Sequence, residues 1–307
     1  MRIGIDVGGT KIEGIALADG GETLVRQRVS TPRDYRGTVD AIAGLVHAIE
    51  GETGRRGSVG VGVPGAVVPA TGHVKNANST WLIGQPLGSD LEAILHRPVR
   101  LMNDANCFAL SEATDGAAAG CDVVFGVILG TGVGGGIVVN GACLPGANLI
   151  AGEWGHNALP RVSADELPGP ACYCGRSGCI ESWLSGPGFA RDHATHTDQQ
   201  WGAPEIVRAA AHGDAGATAT IERYVDRLSR ALASVINLLD PHIIVLGGGM
   251  SNMPHLAESV TERLPSEVFS DTLVTRVVPN RHGDSSGVRG AAWLWPTGDL
   301  APRDVRP

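Results

Sequence analysis

The sequence lacks a long uncharged apolar run, and its first residues do not form a basic segment followed by an apolar core. These absences predict that the chain has neither a membrane span nor a secretory signal peptide. Positive charge is scarce, with 24 Lys and Arg against 32 Asp and Glu and a formal net charge of −8. A broad basic surface is therefore not expected, and non-specific nucleic-acid binding is disfavoured.

Apolar residues are frequent enough for a sizeable core. The chain has 307 residues, of which 43% are hydrophobic and 18% charged, and this length predicts about two domains. The six cysteines fit a reducing compartment, so we expect a cytoplasmic protein. Three of them are scattered and three are clustered, a distribution more typical of a metal site than of a disulfide framework.

Two parts of the chain share one pattern, an apolar strand followed by a glycine turn and a returning strand. The first copy covers residues 1–17 and the second begins at residue 121. We interpret this weak internal repeat as two related halves that pack across a cleft. The predicted division is an N-terminal small α/β lobe of residues 1–117, joined by a C-terminal helix at about 286–300. A larger α/β lobe would cover residues 118–285.

Three glycine turns follow apolar strands, at Gly8, Gly130 and Gly247. Glycine lets backbone N–H groups approach phosphate oxygens, although any one of these could be an ordinary tight turn. Three turns, two of them containing Thr10 or Thr131, favour a nucleotide site. The sequence has no G-x-x-x-x-G-K-[ST] loop, and its G-x-G leads into a strand, which excludes the commonest nucleotide motifs. Strand–turn–strand loops instead indicate the two-lobed actin-like, ribonuclease-H-like ATPase fold.

Three charged residues near these turns have both a functional and an ordinary interpretation. Asp6 ends the first strand, where it could hold Mg²⁺ directly or through water, or could cap the turn. Lys11 could neutralise phosphate charge or be a solvated surface lysine. Asp104 lies between a predicted strand and a predicted helix. It could cap that helix or act as a general base for a sugar hydroxyl.

The segment from Gly152 to Glu181 concentrates residues of the types that bind zinc, namely His156, Cys172, Cys174 and Cys179. Three reduced surface thiols are the ordinary alternative. Four protein ligands would close a tetrahedral site and leave no position for a catalytic water, so we expect a structural Zn²⁺. Glu153 and Glu181 lie beside these ligands, and we expect the metal to hold them in place.

The motifs as a set resemble the ROK family of sugar kinases and repressors. They are Asp6–Lys11, Asn103–Asn106, Gly130–Gly136, Glu153–His156 and Cys172–Glu181. The resemblance covers nearly the whole chain. It implies the ATPase fold named above and the transfer of the ATP γ-phosphoryl group to a hexose hydroxyl, with Mg²⁺ as cofactor.

The resemblance also implies roles for individual residues. Asp104 would take the proton from the sugar O6. The sugar would be bound by Gly65, Asn78, Asn103, Asp104, Glu153, His156 and Glu181. ATP and Mg²⁺ would be bound by Asp6, Gly8, Gly9, Thr10, Lys11, Thr131, Gly132, Gly247 and Gly248. One ring nitrogen of His156 would bind zinc and the other would face the sugar.

The acceptor sugar is less well determined by the sequence. Residues 75–82, 155–157 and 282–287 look most like those of bacterial fructokinases of the manno(fructo)kinase type, which favours fructose and mannose. Residues 103–112 and 128–136 also resemble N-acetylglucosamine kinases, so that enzyme, or a glucokinase, is the alternative. A ROK repressor is disfavoured because its helix-turn-helix would precede the first strand, which here begins at Arg2. The family resemblance further suggests a homodimer.

Overall fold

The structure, a computed structural model, describes residues 1–68, 70–77 and 79–296. The strands are β1 (Arg2–Val7), β2 (Lys11–Leu17), β3 (Thr23–Ser30), β4 (Ser58–Val63), β5 (Ala66–Val67), β6 (Val74–Lys75), β7 (Val99–Asn103), β8 (Val123–Leu129), β9 (Val133–Val139), β10 (Ala142–Cys143), β11 (Ile243–Gly247) and β12 (Arg276–Pro279). The α-helices are α1 (Tyr35–Thr53), α2 (Leu87–Leu95), α3 (Asp104–Thr114), α4 (Ile180–Leu184), α5 (Gly186–Thr197), α6 (Ala203–Ala211), α7 (Ala215–Leu239), α8 (Leu256–Arg263) and α9 (Ser286–Trp293).

The chain divides into two compact units. The first contains Met1–Asp115, Pro145–Ile150 and the segment that begins at Asp284. The second contains Gly116–Leu144 and Ala151–Gly283. The predicted boundary after residue 117 lies close to this division. The assignment of residues 145–150 to the first unit had no counterpart in the prediction.

The first unit is built on a five-stranded sheet with the order β3-β2-β1-β4-β7. The three strands β3, β2 and β1 run antiparallel, and β4 and β7 continue the sheet parallel to β1. Because parallel strands end at the same edge of a sheet, Asp6 at the end of β1 and Asn103 at the end of β7 lie on one edge. This edge carries the residues predicted to bind magnesium and sugar.

Helices cover both faces of the first sheet. On one face, Leu45 and Ile49 of α1 lie close to Gly14 of β2. On the other face α9 packs directly on the sheet, where a Cβ on Gly60 would lie 1.9 Å from the Ala291 carbonyl oxygen. Glycine is therefore required at position 60 for this close approach. The helix predicted for residues 286–293 is confirmed, and it covers the sheet of the first unit.

The second unit repeats this arrangement in a five-stranded sheet with the order β10-β9-β8-β11-β12. The hairpin of β8 and β9 is antiparallel, and β11 and β12 continue the sheet parallel to β8. Both sheets thus contain a hairpin closed by a glycine turn and two further parallel strands. The internal repeat predicted from the two glycine turns is visible in this shared strand order.

Helix α7 is the longest helix of the described residues and forms a large part of the second core. Its buried face includes Tyr224, Leu228 and Leu232, at helical spacing. The helix begins at Ala215, six residues before the predicted start at Ile221, because Asp214 caps it by accepting a hydrogen bond from the Ala217 N–H at 2.8 Å. None of the described helices is both long and apolar enough to cross a membrane.

Candidate active site

The first glycine turn joins β1 to β2 and is fixed at its base. The Gly8 N–H donates to the Lys11 carbonyl oxygen at 3.0 Å, and the Thr31 hydroxyl donates to the Gly8 carbonyl oxygen at 2.7 Å. Gly9, Thr10 and Lys11 at the tip are exposed. The turn is therefore rigid at its base and open at its tip, a geometry suited to anion binding by backbone N–H groups.

Asp6 lies beside this turn in a region of concentrated negative charge. Asp6 and Glu13 are directly opposite each other on the antiparallel strands β1 and β2. Burial raises the pKa of the Asp6 carboxyl to about 7, and the charges of Asp104 and Glu13 add to this effect while Lys11 opposes it. A divalent cation would relieve the same repulsion. The position and charge of Asp6 therefore fit the predicted Mg²⁺ site.

Asn103, rather than Asp104, is the N-cap of α3. Its Oδ1 accepts hydrogen bonds from the backbone N–H groups of Ala105 and Asn106 at 2.9 and 3.2 Å. Its Nδ2 donates to the Gly65 carbonyl oxygen at 2.9 Å, so the cap also holds the loop after β4. Asp104 is the first residue of the helix, where the helix dipole stabilises its negative charge. Asn78 lies outside the described residues.

The second and third glycine turns lie next to each other in the second unit. Gly248 has a φ of +83°, and a Cβ at this position would be 2.4 Å from the Leu129 carbonyl oxygen. Glycine is therefore needed at position 248 both for its backbone conformation and for its close approach to Leu129. Leu129 immediately precedes the second turn, in which the Gly130 N–H donates to the Gly132 carbonyl oxygen at 2.9 Å. Gly247 is buried at the end of β11, whereas Thr131 and Gly248 are exposed.

A cavity of about 670 Å³ opens beside these two turns. Its walls come from the turns and from helices α5 and α6, and they include Gly130, Thr131, Pro187, Val207, Gly249 and Met250. The lining is mainly apolar, and Arg208 and Asn252 supply charged and polar groups. A cavity of this size and character is typical of a small-molecule site. The contribution of α6 was not predicted, since nothing in the sequence near the glycine turns points to residues 203–211.

Four side chains form the cluster expected to bind metal. The ligand atoms of His156, Cys172, Cys174 and Cys179 all lie within 4.8 Å of one another. His156 Nδ1 is 3.6 Å from Cys172 Sγ, and Cys174 Sγ is 3.6 Å from Cys179 Sγ. Ligand atoms around a tetrahedral zinc, with bonds of about 2.0 Å to nitrogen and about 2.3 Å to sulfur, lie about 3.5–3.8 Å apart. The geometry and the soft donor set both fit a zinc ion.

The second ring nitrogen of His156 has a partner that was not predicted. Nε2 lies 2.9 Å from the hydroxyl of Tyr173, and the two rings meet edge to face with centroids 5.1 Å apart. Tyr173 is 83% exposed. A second hydrogen bond of this kind fixes the orientation of a metal-binding imidazole. This is the nitrogen predicted to face the sugar, and the structure places the Tyr173 hydroxyl there instead.

The two glutamates beside the cluster differ in their surroundings. Glu153 is exposed and immediately precedes the 3₁₀ turn Trp154–His156. Glu181 is half-buried in α4, and its Oε2 accepts a hydrogen bond from the Val133 N–H at 2.8 Å. Glu181 therefore lies against the second glycine turn. The structure thus brings one predicted sugar-binding residue together with the predicted ATP-binding residues Thr131 and Gly132.

A buried ion-pair network ties the segment before the cysteines to α7. Glu166 accepts hydrogen bonds from Arg227 Nε and Arg230 Nη2, both at 2.8 Å, and all three side chains are buried. Burial raises the pKa of Glu166, but the hydrogen bonds from Arg230 and Arg227 outweigh it and lower the pKa to about 2. The network therefore anchors the loop that carries the metal ligands.

Comparison with known proteins identifies the family. A sequence model of the ROK family matches residues 2–298. The chain belongs to the ROK family. This ROK protein is 44% identical over 300 residues to an N-acetyl-D-glucosamine kinase from Shigella boydii serotype 4 (strain Sb227), and the match covers 96% of this chain and 99% of that kinase. Other curated relatives with the same description and the same identity come from strains of Escherichia coli.

Solved structures agree with this assignment. The ROK hexokinase from Thermus thermophilus superposes with a TM-score of 0.84 at 32% identity, covering 95% of this chain and 96% of that chain. A ROK family glucokinase from Streptomyces griseus, in complex with glucose and AMPPNP, superposes with a TM-score of 0.80 at 30% identity. The match covers 97% of this chain and 99% of the glucokinase chain. The predicted α/β fold of the actin-like ATPase type is therefore confirmed.

Proposed function

We propose that this ROK protein is an ATP-dependent hexose kinase that phosphorylates the 6-hydroxyl of N-acetylglucosamine. The observation that carries the choice of sugar is the 44% identity to an N-acetyl-D-glucosamine kinase over 96% of this chain. The fructose preference expected from residues 75–82, 155–157 and 282–287 has weaker support, because the reported relatives and structures are kinases of other hexoses or of hexoses in general. Fructose remains the second candidate on account of those three segments.

The nucleotide is proposed to bind at the glycine turns. Support comes from the open tip of the first turn, from the adjacent second and third turns, and from the AMPPNP in the related glucokinase. The mainly apolar cavity beside Thr131 would take the purine base. Lys11 would offset phosphate charge. Asp6 would hold Mg²⁺, and the ion would neutralise charge on the transferred phosphoryl group.

Asp104 is proposed to be the general base. Phosphoryl transfer depends mainly on positioning and on electrostatics, so the protein has to place the acceptor hydroxyl and remove its proton. Asn103 supplies the N-cap of α3 and binds the Gly65 loop, which fixes the start of the helix on which Asp104 lies. The remaining proposed sugar contacts are Gly65, Asn78, Asn103, Glu153, His156 and Glu181.

The metal is proposed to be a structural Zn²⁺ held by His156, Cys172, Cys174 and Cys179. Four protein donors complete a tetrahedral shell, so the ion would stabilise the loop and take no part in phosphoryl transfer. The soft thiolate donors would also accept another thiophilic ion, and metal analysis of the purified protein distinguishes these. The homodimer suggested by the family stays a prediction, which light scattering coupled to gel filtration tests.

A panel of acceptors tests the proposed activity. ADP release is measured with N-acetylglucosamine, fructose, mannose and glucose at saturating ATP and Mg²⁺. We expect kcat/KM for N-acetylglucosamine to exceed that for the other sugars by about 10-fold or more, since a site with partners for the acetamido group rejects sugars that lack it. A preference for fructose would overturn the choice of sugar. ADP release that no hexose stimulates would overturn the kinase assignment.

A further inference from the structure

The segment that follows the last cysteine holds the second glycine turn at two points. Glu181 Oε2 accepts a hydrogen bond from the Val133 N–H at 2.8 Å. At the other end of the segment, the Gly186 N–H donates to the Gly130 carbonyl oxygen at 2.8 Å. Glu181 lies in helix α4, and Gly186 is the first residue of helix α5. Residues 181–186 thus form hydrogen bonds to both ends of the turn Gly130–Val133.

Two glycines beside these contacts have little space for a side chain. A Cβ added to Gly132 would lie 2.6 Å from Glu181 Oε2. On the other side of the same strand end, a Cβ on Gly155 would lie 2.1 Å from the Val133 carbonyl oxygen. The Val133 backbone therefore contacts both ends of the metal loop, by which we mean residues 152–181. Its N–H donates to Glu181, which follows Cys179, and its carbonyl oxygen lies against Gly155, which precedes His156.

The residues that form these two hydrogen bonds are also close in the chain to the proposed metal ligands. Cys179 is the residue immediately before α4. The Ile180 N–H donates to the carbonyl oxygen of Asn157 at 2.9 Å, and Asn157 follows His156 in the chain. A shift of the metal ligands would therefore move Glu181, and with it the hydrogen bond to the turn.

We propose that Glu181 is a positioning residue for the nucleotide, because its carboxylate fixes the turn Gly130–Val133 in the conformation that receives phosphate. The inference rests on the proposed function, in which Thr131 and Gly132 bind ATP. It goes beyond the role of Glu181 as a sugar contact. A group that only binds the sugar has no effect on nucleotide affinity when sugar is absent. A group that preorganises the turn affects that affinity at all times.

Nucleotide binding without sugar is the decisive measurement. AMPPNP with Mg²⁺ is titrated calorimetrically into wild type, Glu181→Ala and Glu181→Gln, at equal metal content verified by elemental analysis. We expect Glu181→Ala to weaken the Kd by about 3- to 10-fold, the usual effect of losing one hydrogen bond. Glu181→Gln keeps an oxygen that can accept from Val133, so it should stay close to wild type. Glu153→Ala, a change at a proposed sugar contact at the other end of the metal loop, is the matched control and should leave this Kd unchanged.

Hydrogen exchange gives a second readout that needs no ligand and no activity. In the ligand-free protein, Glu181→Ala should speed exchange of the Gly130–Val133 amides, and Glu181→Gln should restore slow exchange. Unchanged exchange in Glu181→Ala, or a sugar-free Kd equal to that of wild type, would overturn the proposal. If wild type binds no AMPPNP, the proposed function fails, and the exchange rates still decide whether Glu181 holds the turn.

Discussion

Replacing Asp104 by Asn tests its chemical role, because the hydrogen bonds to the Ala105 N–H at the start of α3 do not require its charge. Asn103 provides the N-cap of α3, and Asp104 Oδ1 accepts from the Ala105 N–H at 2.9 Å, a hydrogen bond that the Asn oxygen can also accept. The cost to stability should be about 0.3–1 kcal/mol, the usual value of a negative charge in the first turn of a helix. The variant is therefore expected to fold.

The loss of the base should appear in turnover. A positioned general base contributes about 10²–10⁴-fold to the rate, so kcat of Asp104→Asn should fall by that factor. This corresponds to about 2.7–5.4 kcal/mol in the activation barrier. The KM for hexose should change by only a few-fold, since Asn keeps a group that can hydrogen-bond the hydroxyl. ADP release at saturating ATP, Mg²⁺ and sugar measures both constants.

The environment of Asp6 supplies an independent check. The charge of Asp104 is one cause of the raised pKa of Asp6, so Asp104→Asn should lower that pKa in the metal-free protein, as followed by carboxyl NMR. Asp40→Asn, which removes an exposed carboxylate from α1, is the matched control for kcat. A variant at position 104 that folds, loses the effect on Asp6 and still turns over at nearly the normal rate would refute the assignment of Asp104 as the base.

Two further predictions concern the metal loop. Glu166→Gln should lower the free energy of unfolding at neutral pH by about 3 kcal/mol, because it breaks a buried ion pair. The difference from wild type should shrink as pH falls from about 4.5 towards about 2, because the depressed pKa of Glu166 makes its contribution present above the ordinary pKa and lost on acidification. Urea unfolding at several pH values measures this, with the exposed Glu222→Gln as control, and a difference independent of pH would contradict it. Removal of the metal by a chelator should raise the KM for hexose by about 10- to 100-fold and speed hydrogen exchange in residues 172–181. An unchanged KM in protein verified as metal-free would show that the metal does not position the glutamates.

The elements that the sequence predicted well are those in which pattern and burial coincide. The two hairpins at residues 2–17 and 123–139, helix α2 and helix α9 were expected with bounds close to those observed. Strand β3 was missed because it is an edge strand with six of its eight residues exposed, so its apolar alternation is weak. Helix α6 was missed although it is as long as α2, which was predicted, and its one-sided distribution of apolar residues would have revealed it.

The site could be predicted as a set of residues but not as a set of contacts. The cysteines and His156 were expected from their side-chain chemistry, and their ligand atoms do lie together. Asp104 was the predicted helix cap, whereas the structure gives this role to Asn103, because either side chain can accept the first-turn N–H groups. The cavity beside α6 and the bond from His156 to Tyr173 join residues by tertiary packing, which no local pattern encodes.

The requirement for glycine at positions 132 and 155 follows from the packing of residues 152–181 as much as from the proposed phosphate binding. Gly132 was predicted as a phosphate contact, yet its missing Cβ also makes room for the carboxylate of Glu181. Gly155 lies between two residues of predicted function, yet it is required because its backbone meets the Val133 carbonyl. The same strand end therefore has two constraints, one from the ligand and one from the loop. A substitution at either glycine would disturb the proposed sugar contacts and the proposed phosphate contacts together, because Val133 is joined to both.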